Sequence, residues 1–343
     1  MSPLIPNATM RAGHLSTPME MSDTDERLLL LREEFIDWWH CAEEGLCSAL
    51  NLYRRYDDDD IVALYFAAWC DALAQLSIAK NSLAGRLFQQ VAPNINTAQL
   101  PGLAAYQFSV YTGIPRETAR RKLETACDLR ILERSPGSTF RLRALSIDIL
   151  PLFNHGIALA GELLRAVNEP HIRLHAELPM ERWAPFMQAY LRLLLDFWAV
   201  RRAMTRGSSA VSVQIALELL TTLKIRRRLA LEGKSHQRDL QTAIAFGRDA
   251  RSTPYFVSQI ASITQLEVSR VRRMCRNLAT HGRVHFINAD SLTVSTDSGS
   301  DLRAIPLGLY SKDLKDLIFR FVNVATESFV ECTERPTTNV RVT

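Results

Sequence analysis

None of the six cysteines, at 41, 47, 70, 127, 275 and 332, stands at CxxC spacing, which leaves a zinc module or an iron–sulfur cluster without a basis. Their seats in apolar, helix-patterned runs read as reduced core cysteines in a cytoplasm. The 14 glycines are scattered, and no GxGxxG, Walker-type loop, GxSxG or HExxH occurs. No histidine and acid fall in catalytic order, so the reading contains no enzyme and no cofactor. No run of about 18 apolar residues exists, which predicts no membrane span. The first 22 residues, MSPLIPNATMRAGHLSTPMEMS, lack the basic-then-apolar order of a secretion signal and read as a flexible tail.

What is present is the composition of a soluble globular protein, 47% apolar and 23% charged over 343 residues, with room for two domains. The net charge of +4 says little, but its placement says more. Residues 20–60 hold 13 acids against 4 bases. Residues 113–143 hold 8 bases and 4 acids, residues 265–285 hold 5 arginines and 1 acid, and residues 200–251 hold 11 bases and 4 acids. An acidic arm and separate cationic faces point to a polyanionic partner.

The organising stretch is Leu103–Leu132, LAAYQFSVYTGIPRETARRKLETACDLRIL. It predicts a short helix, a turn at Thr112-Gly113-Ile114, a second helix from about Pro115 to Leu129, and a strand edge. Gly113 permits the positive φ of a tight helix–helix turn, and Pro115 suits a first helical turn. Ala119, Leu123 and Ala126 form an apolar stripe at i, i+4, i+7. Arg116, Thr118, Arg120, Arg121 and Lys122 fill the rest of that surface, as a helix laid in a DNA major groove requires. Residues 131–143 then read as a hairpin, with Pro136-Gly137 at its turn and Arg134, Arg141 and Arg143 along it.

A shift of 152 residues lays this stretch without a gap on Tyr255–Val284, YFVSQIASITQLEVSRVRRMCRNLATHGRV. Only Gln107/Gln259, Thr112/Thr264, Arg120/Arg272 and Arg121/Arg273 are identical. Ile260, Leu266, Val271 and Leu278 replace Phe108, Ile114, Ala119 and Ala126, apolar for apolar, and Gly282 takes the place of Arg130 as a helix C-cap. Residues 283–295 make a second candidate hairpin.

A helix-turn-helix followed by a basic hairpin resembles the bacterial winged helix-turn-helix transcription regulators of the broad MarR/GntR kind, with GIPRETARRKLETACDLRIL as the matching run. The expected fold is therefore mainly α: two tandem winged helix-turn-helix domains with flanking long helices, the product of an internal duplication. Residues 23–170 form the first domain (helix-turn-helix about 103–130, wing 131–143). Residues 171–332 form the second (helix-turn-helix about 255–282, wing 283–295), and residues 333–343 form a tail. In each half two long helices precede the winged helix, Met180–Met204 and Val211–Leu223 being those of the second, and a closing helix follows: Leu145–Val167 and Leu314–Phe329.

Several features have plainer readings. Trp38-Trp39 reads as a core anchor rather than a stacking platform. Asp57–Asp60 reads as a helix cap rather than a metal site. His171 and His175 have ligand spacing but no third ligand, and read as linker histidines. Lys224–Arg228 is either a solvated helix end or a set of phosphate contacts.

The expected function is sequence-specific double-stranded DNA binding by a cytoplasmic transcription regulator, with Arg116, Thr118, Arg120, Arg121 and Lys122 on one reader. Ser269, Arg270, Arg272, Arg273 and Arg276 serve on the other, and Arg134, Arg141 and Arg143 on the first wing. The resemblance implies a homodimer. A plasmid-type replication initiator, which also resembles two winged helices in tandem, and a protein-interaction scaffold are the alternatives.

Overall fold

The computed structural model describes residues 35–52, 58–78, 102–143, 150–167, 180–205, 210–237, 239–295 and 312–330. Among them the chain is mainly helical. In order come α1 (Phe35–Leu52), α2 (Asp59–Ile78), β1 (Leu103–Ala104), α3 (Ala105–Thr112), α4 (Arg116–Asp128), β2 (Leu132–Ser135), β3 (Thr139–Leu142) and α5 (Leu150–Ala166). Then follow α6 (Met180–Met204), α7 (Val211–Leu231), α8 (Leu240–Ser252), β4 (Tyr255–Phe256), α9 (Val257–Thr264), α10 (Val268–Thr280), β5 (Val284–Phe286), β6 (Ser291–Val294) and α11 (Lys312–Val330).

The strands form two antiparallel sheets with orders β1-β3-β2 and β4-β6-β5. Leu103 pairs with Phe140 and Leu132 with Leu142 in the first; Tyr255 pairs with Leu292 and Val284 with Val294 in the second. The offset of 152 holds in three dimensions: β1 and β4, α3 and α9, α4 and α10, and β3 and β6 have bounds that differ by that number at both ends, and α2 and α7 start by it.

Local chemistry explains the repeat. Asp58 Oδ1 accepts from the Asp60 and Ile61 amides at 3.0 and 3.4 Å and starts α2, so Asp58 caps a helix, while Asp57 lies outside the described residues. The α3–α4 turn needs a left-handed residue, supplied by Gly113 at φ 66°; in the α9–α10 turn Gln265 takes that conformation at φ 53°. After α4 and α10 the same demand falls on Arg130 (φ 59°) and Gly282 (φ 68°). Thr112 and Thr264, one of the four identical pairs, are buried, and each hydroxyl donates to the carbonyl four residues back at 2.8 Å.

The amphipathic expectation holds on both units. Ala119, Leu123 and Ala126 are buried on α4, and Val271, Met274, Cys275 and Leu278 on α10. Trp38 and Trp39 are buried in the core. The first unit rests on α2 and the second on the N-terminal part of α7.

Helices then exchange between the halves. α1 packs on α7, and α6 packs on α2. α5 covers α1, while α11 covers α6, where Phe186 meets Phe153, Phe321 and Phe329 at centroid distances of 5.6, 5.5 and 5.4 Å. One apolar cluster thus runs from Phe35 to Phe329 across both halves.

Some boundaries differ from expectation. Residues 103–104 belong to a strand, not to the first helix, because their backbone pairs with the hairpin. α7 continues to Leu231, so Lys224–Arg228 lies within its last turns. α8, capped by Asp239 Oδ1 accepting from the Thr242 amide at 2.9 Å, went unread in the sequence. The expected tails at residues 1–22 and 333–343, the boundary near residue 170, His171, His175 and Cys332 lie outside the described residues. No helix among the described residues is long and apolar enough to cross a membrane.

Candidate nucleic-acid interface

The stripe that seats α4 on α2 and α3 leaves the opposite side of the helix in solvent. Arg116, Arg120 and Arg121 are exposed there and Thr118 is half-buried. Their states differ. Arg120 is held between Glu117 and Glu124, with Nη2–Oε1 and Nη1–Oε1 distances of 2.7 and 2.8 Å. The hydrogen bond from Arg120 also holds the Glu117 carboxyl below its usual range. Arg134 on β2 reaches Glu124 at 3.0 Å, and Arg141 pairs with Glu133 at 2.8 Å. Lys122 turns away from that face and pairs with Asp58 at the start of α2. Arg143 is exposed just after β3. The Arg116 and Arg121 side chains carry no ion pair or hydrogen bond among the described residues.

On α10 the same geometry comes with a different charge balance. Ser269, Arg273 and Arg276 are exposed, and Arg270 and Arg272 half-buried. Arg272 Nη2 binds Asp290 Oδ1 at 2.7 Å, and its Nε donates to the Ala289 carbonyl at 3.3 Å. It therefore ties the helix to the tip of the β5–β6 hairpin, whereas its counterpart Arg120 is engaged along its own helix. Arg273 and Arg276 carry no ion pair or hydrogen bond among the described residues. α4 contains four basic and three acidic side chains; α10 contains four basic and no acidic one.

The structure thus brings Arg116, Arg120 and Arg121 together on one helix face, with Arg134 linked to them through Glu124. It brings Ser269, Arg273 and Arg276 together on the other. Sequence reasoning missed the neutralising acids. Glu117 and Glu124 stand three before and four after Arg120, a spacing at which helix side chains meet, so that signal was available. Asp290 meets Arg272 only through the folded hairpin, and nothing in the spacing announces it.

The Lys224–Arg228 cluster resolves into separate tasks. Lys224 Nζ donates to the Thr253 and Pro254 carbonyls at 3.2 and 3.0 Å and lies 3.2 Å from the Tyr255 ring centroid. Burial lowers its pKa to about 8. Arg226 faces Asp37 at 3.6 Å and Arg228 binds Asp249 at 2.7 Å. Lys224, Arg227 and Arg228 line a groove of about 410 Å³ with Leu231, Phe246 and Phe256.

Burial pushes the thiols of Cys41, Cys70 and Cys275 up to about 12, which makes them poor nucleophiles at neutral pH. Among the described residues, no group of three or more His, Cys, Asp or Glu side chains is placed to hold a metal ion. Compared with models of protein families, with curated proteins and with solved structures, the chain matches none.

Proposed function

We propose that the chain is a sequence-specific double-stranded DNA-binding transcription regulator, reading DNA with two winged helix-turn-helix modules. The observation that carries this reading is the repetition, at one offset, of a helix with an apolar floor, each copy carrying an outward pair of unengaged arginines of which only Arg121 and Arg273 correspond. The pairs are Arg116 and Arg121 on α4 and Arg273 and Arg276 on α10, each beside a β-hairpin.

An arginine on such a helix can bond guanine O6 and N7 together, and Thr118 and Ser269 are short enough to reach a base or a phosphate. Arg143, beside the first hairpin, is suited to phosphate. Arg120, Arg134, Arg141 and Arg272 hold the frame, and the exposed Arg120 and Arg134 could exchange a carboxylate for a phosphate at little cost, since exposed ion pairs are weak. Two modest readers in one chain gain from effective concentration, on the order of millimolar for a short connection.

Selection of duplexes from a random pool, followed by sequencing, tests the reading. A motif enriched by the intact chain and lost in an Arg121→Ala/Arg273→Ala variant is the expected result; an unenriched pool would retire it. An interaction scaffold is the second reading, favoured by Tyr106 and Val110, 61% and 59% exposed on α3. A contact made through that pair would be insensitive to salt, whereas DNA binding is not.

A further inference from the structure

The exchanged helices meet in equivalent pairs, α1 on α7 and α6 on α2. On α1, His40 Nδ1 lies 2.8 Å from Thr222 Oγ1 of α7. Adding 152 to 40 gives Arg192, and subtracting 152 from 222 gives Cys70. The Cys70 thiol of α2 donates to the Gln188 carbonyl of α6, one helical turn before Arg192, at 3.7 Å.

A second pair of elements is exchanged in the same way, α1 onto α9 and α6 onto α3. Asn51 Nδ2 of α1 donates to the Ile263 carbonyl of α9 at 2.7 Å. Position 263 corresponds to Tyr111 of α3, whose ring is met from α6 by the Arg192 guanidinium at 4.8 Å. Between these two sets the starts of α2 and α7 touch each other, with the Ser212 amide donating to Asp59 Oδ2 at 3.3 Å.

A contact that runs from the first half to the second, and back through the same elements, is isologous, and an isologous contact closes on a two-fold axis. A translation, or a screw of head-to-tail units, would place α1 on α7 without returning α6 to α2. The two halves of one chain are therefore related as the subunits of a two-fold dimer, and so are α4 and α10.

From this, and resting on the DNA-binding reading above, we infer that one chain reads two half-sites in inverted orientation, and that the half-sites differ in sequence. Inversion follows because a two-fold pair of helices meets DNA through the two-fold symmetry of its backbone. Non-identity follows from the faces. Of the outward positions only Arg120/Arg272 and Arg121/Arg273 are shared, while Arg116, Glu117, Thr118 and Glu124 face Val268, Ser269, Arg270 and Arg276. The α10 helix, with no acid among its own residues, carries more of the phosphate affinity. The two-fold pairing that a homodimer would supply is provided inside a single chain.

The test uses the full chain and the two half-sites recovered by selection, joined in inverted, direct and everted order at centre spacings of about 10 base pairs and multiples. Affinity is read by fluorescence anisotropy and stoichiometry by analytical ultracentrifugation. The inverted order should bind at least about tenfold tighter than the direct order at its best spacing, with one chain per duplex. A Glu117→Ser/Glu124→Arg variant of α4 should move the first half-site toward the second. Direct order bound as well as inverted, or two chains on one inverted pair, would overturn the inference while leaving DNA binding intact. Failure to bind any duplex would bring down the DNA-binding reading and this inference together.

Discussion

Replacing Arg201 with Met tests the interlock at its most buried polar contact. Arg201 on α6 pairs with Glu43 on α1, and the two side chains are 3% and 1% exposed. Trp39 Nε1 also donates to Glu43 Oε1 at 3.1 Å. Methionine keeps most of the volume and removes the charge, leaving a carboxylate in the core with one hydrogen bond. Breaking such a pair from one side costs about 3–5 kcal/mol, whereas replacing both members with apolar groups is often neutral. Glu43→Leu/Arg201→Met should therefore regain most of the loss.

The pH dependence sharpens this prediction. Burial already raises the Glu43 pKa, and its attraction to Arg201 and the Arg201 hydrogen bond are the largest opposing influences. In Arg201→Met, burial and the nearby Glu218 charge act with little opposition, so the folded state holds a proton that the unfolded state releases. A pKa raised by folding gives stability below the unfolded carboxylate value and loses it as pH rises. The deficit of the variant should be small near pH 4 and grow toward pH 7. Urea unfolding followed by tryptophan fluorescence reads both, because Trp38, Trp39 and Trp69 report on one half and Trp183 and Trp198 on the other, all five being buried. Wild type should show one transition. A deficit under about 1 kcal/mol at pH 7, or one that does not shrink in acid, would refute the reasoning.

Phe186→Ala removes a fully buried ring from a four-phenylalanine cluster, and should cost about 3–5 kcal/mol in chemical denaturation. The turn positions should respond oppositely to small substitutions. Gly113→Ala imposes a side chain at φ 66° and should lose roughly 1 kcal/mol. Gln265→Gly and Arg130→Gly relieve the same strain and should each gain a few tenths to about 1 kcal/mol, read as a rise in Tm. Asp290→Asn removes the charge that Arg272 meets at the hairpin tip and leaves its bond to the Ala289 carbonyl; with Asp290 largely exposed, it should move stability by under about 0.5 kcal/mol.

The elements of the two repeated units were legible in the chain because they are fixed locally. A glycine at a left-handed turn, an apolar stripe on α4, a Pro-Gly hairpin and an aspartate cap each act within a few residues, and a constant offset doubled the signal. The left-handed state of Gln265 was visible only by comparison with Gly113. What stayed hidden depends on contacts between distant segments. The exchange of α1 and α6 joins positions such as 40 and 222, for which a single sequence offers no pairing signal. The Arg272–Asp290 and Lys122–Asp58 pairs belong to the same class. Arg120 is the instructive middle case: its spacing to Glu117 and Glu124 was present, but a cationic count alone treats an engaged arginine and a free one alike.

The claim that two arginine-faced helices lie against duplex DNA is tested most directly by a salt titration of binding to a selected duplex. Wild type, Arg121→Ala, Arg273→Ala and the double variant are compared by the slope of log affinity against log salt. The account predicts weaker binding in each single variant, a slope shallower by about 1 for each arginine that meets a phosphate, and additive losses in the double variant. Four superimposable curves would contradict it.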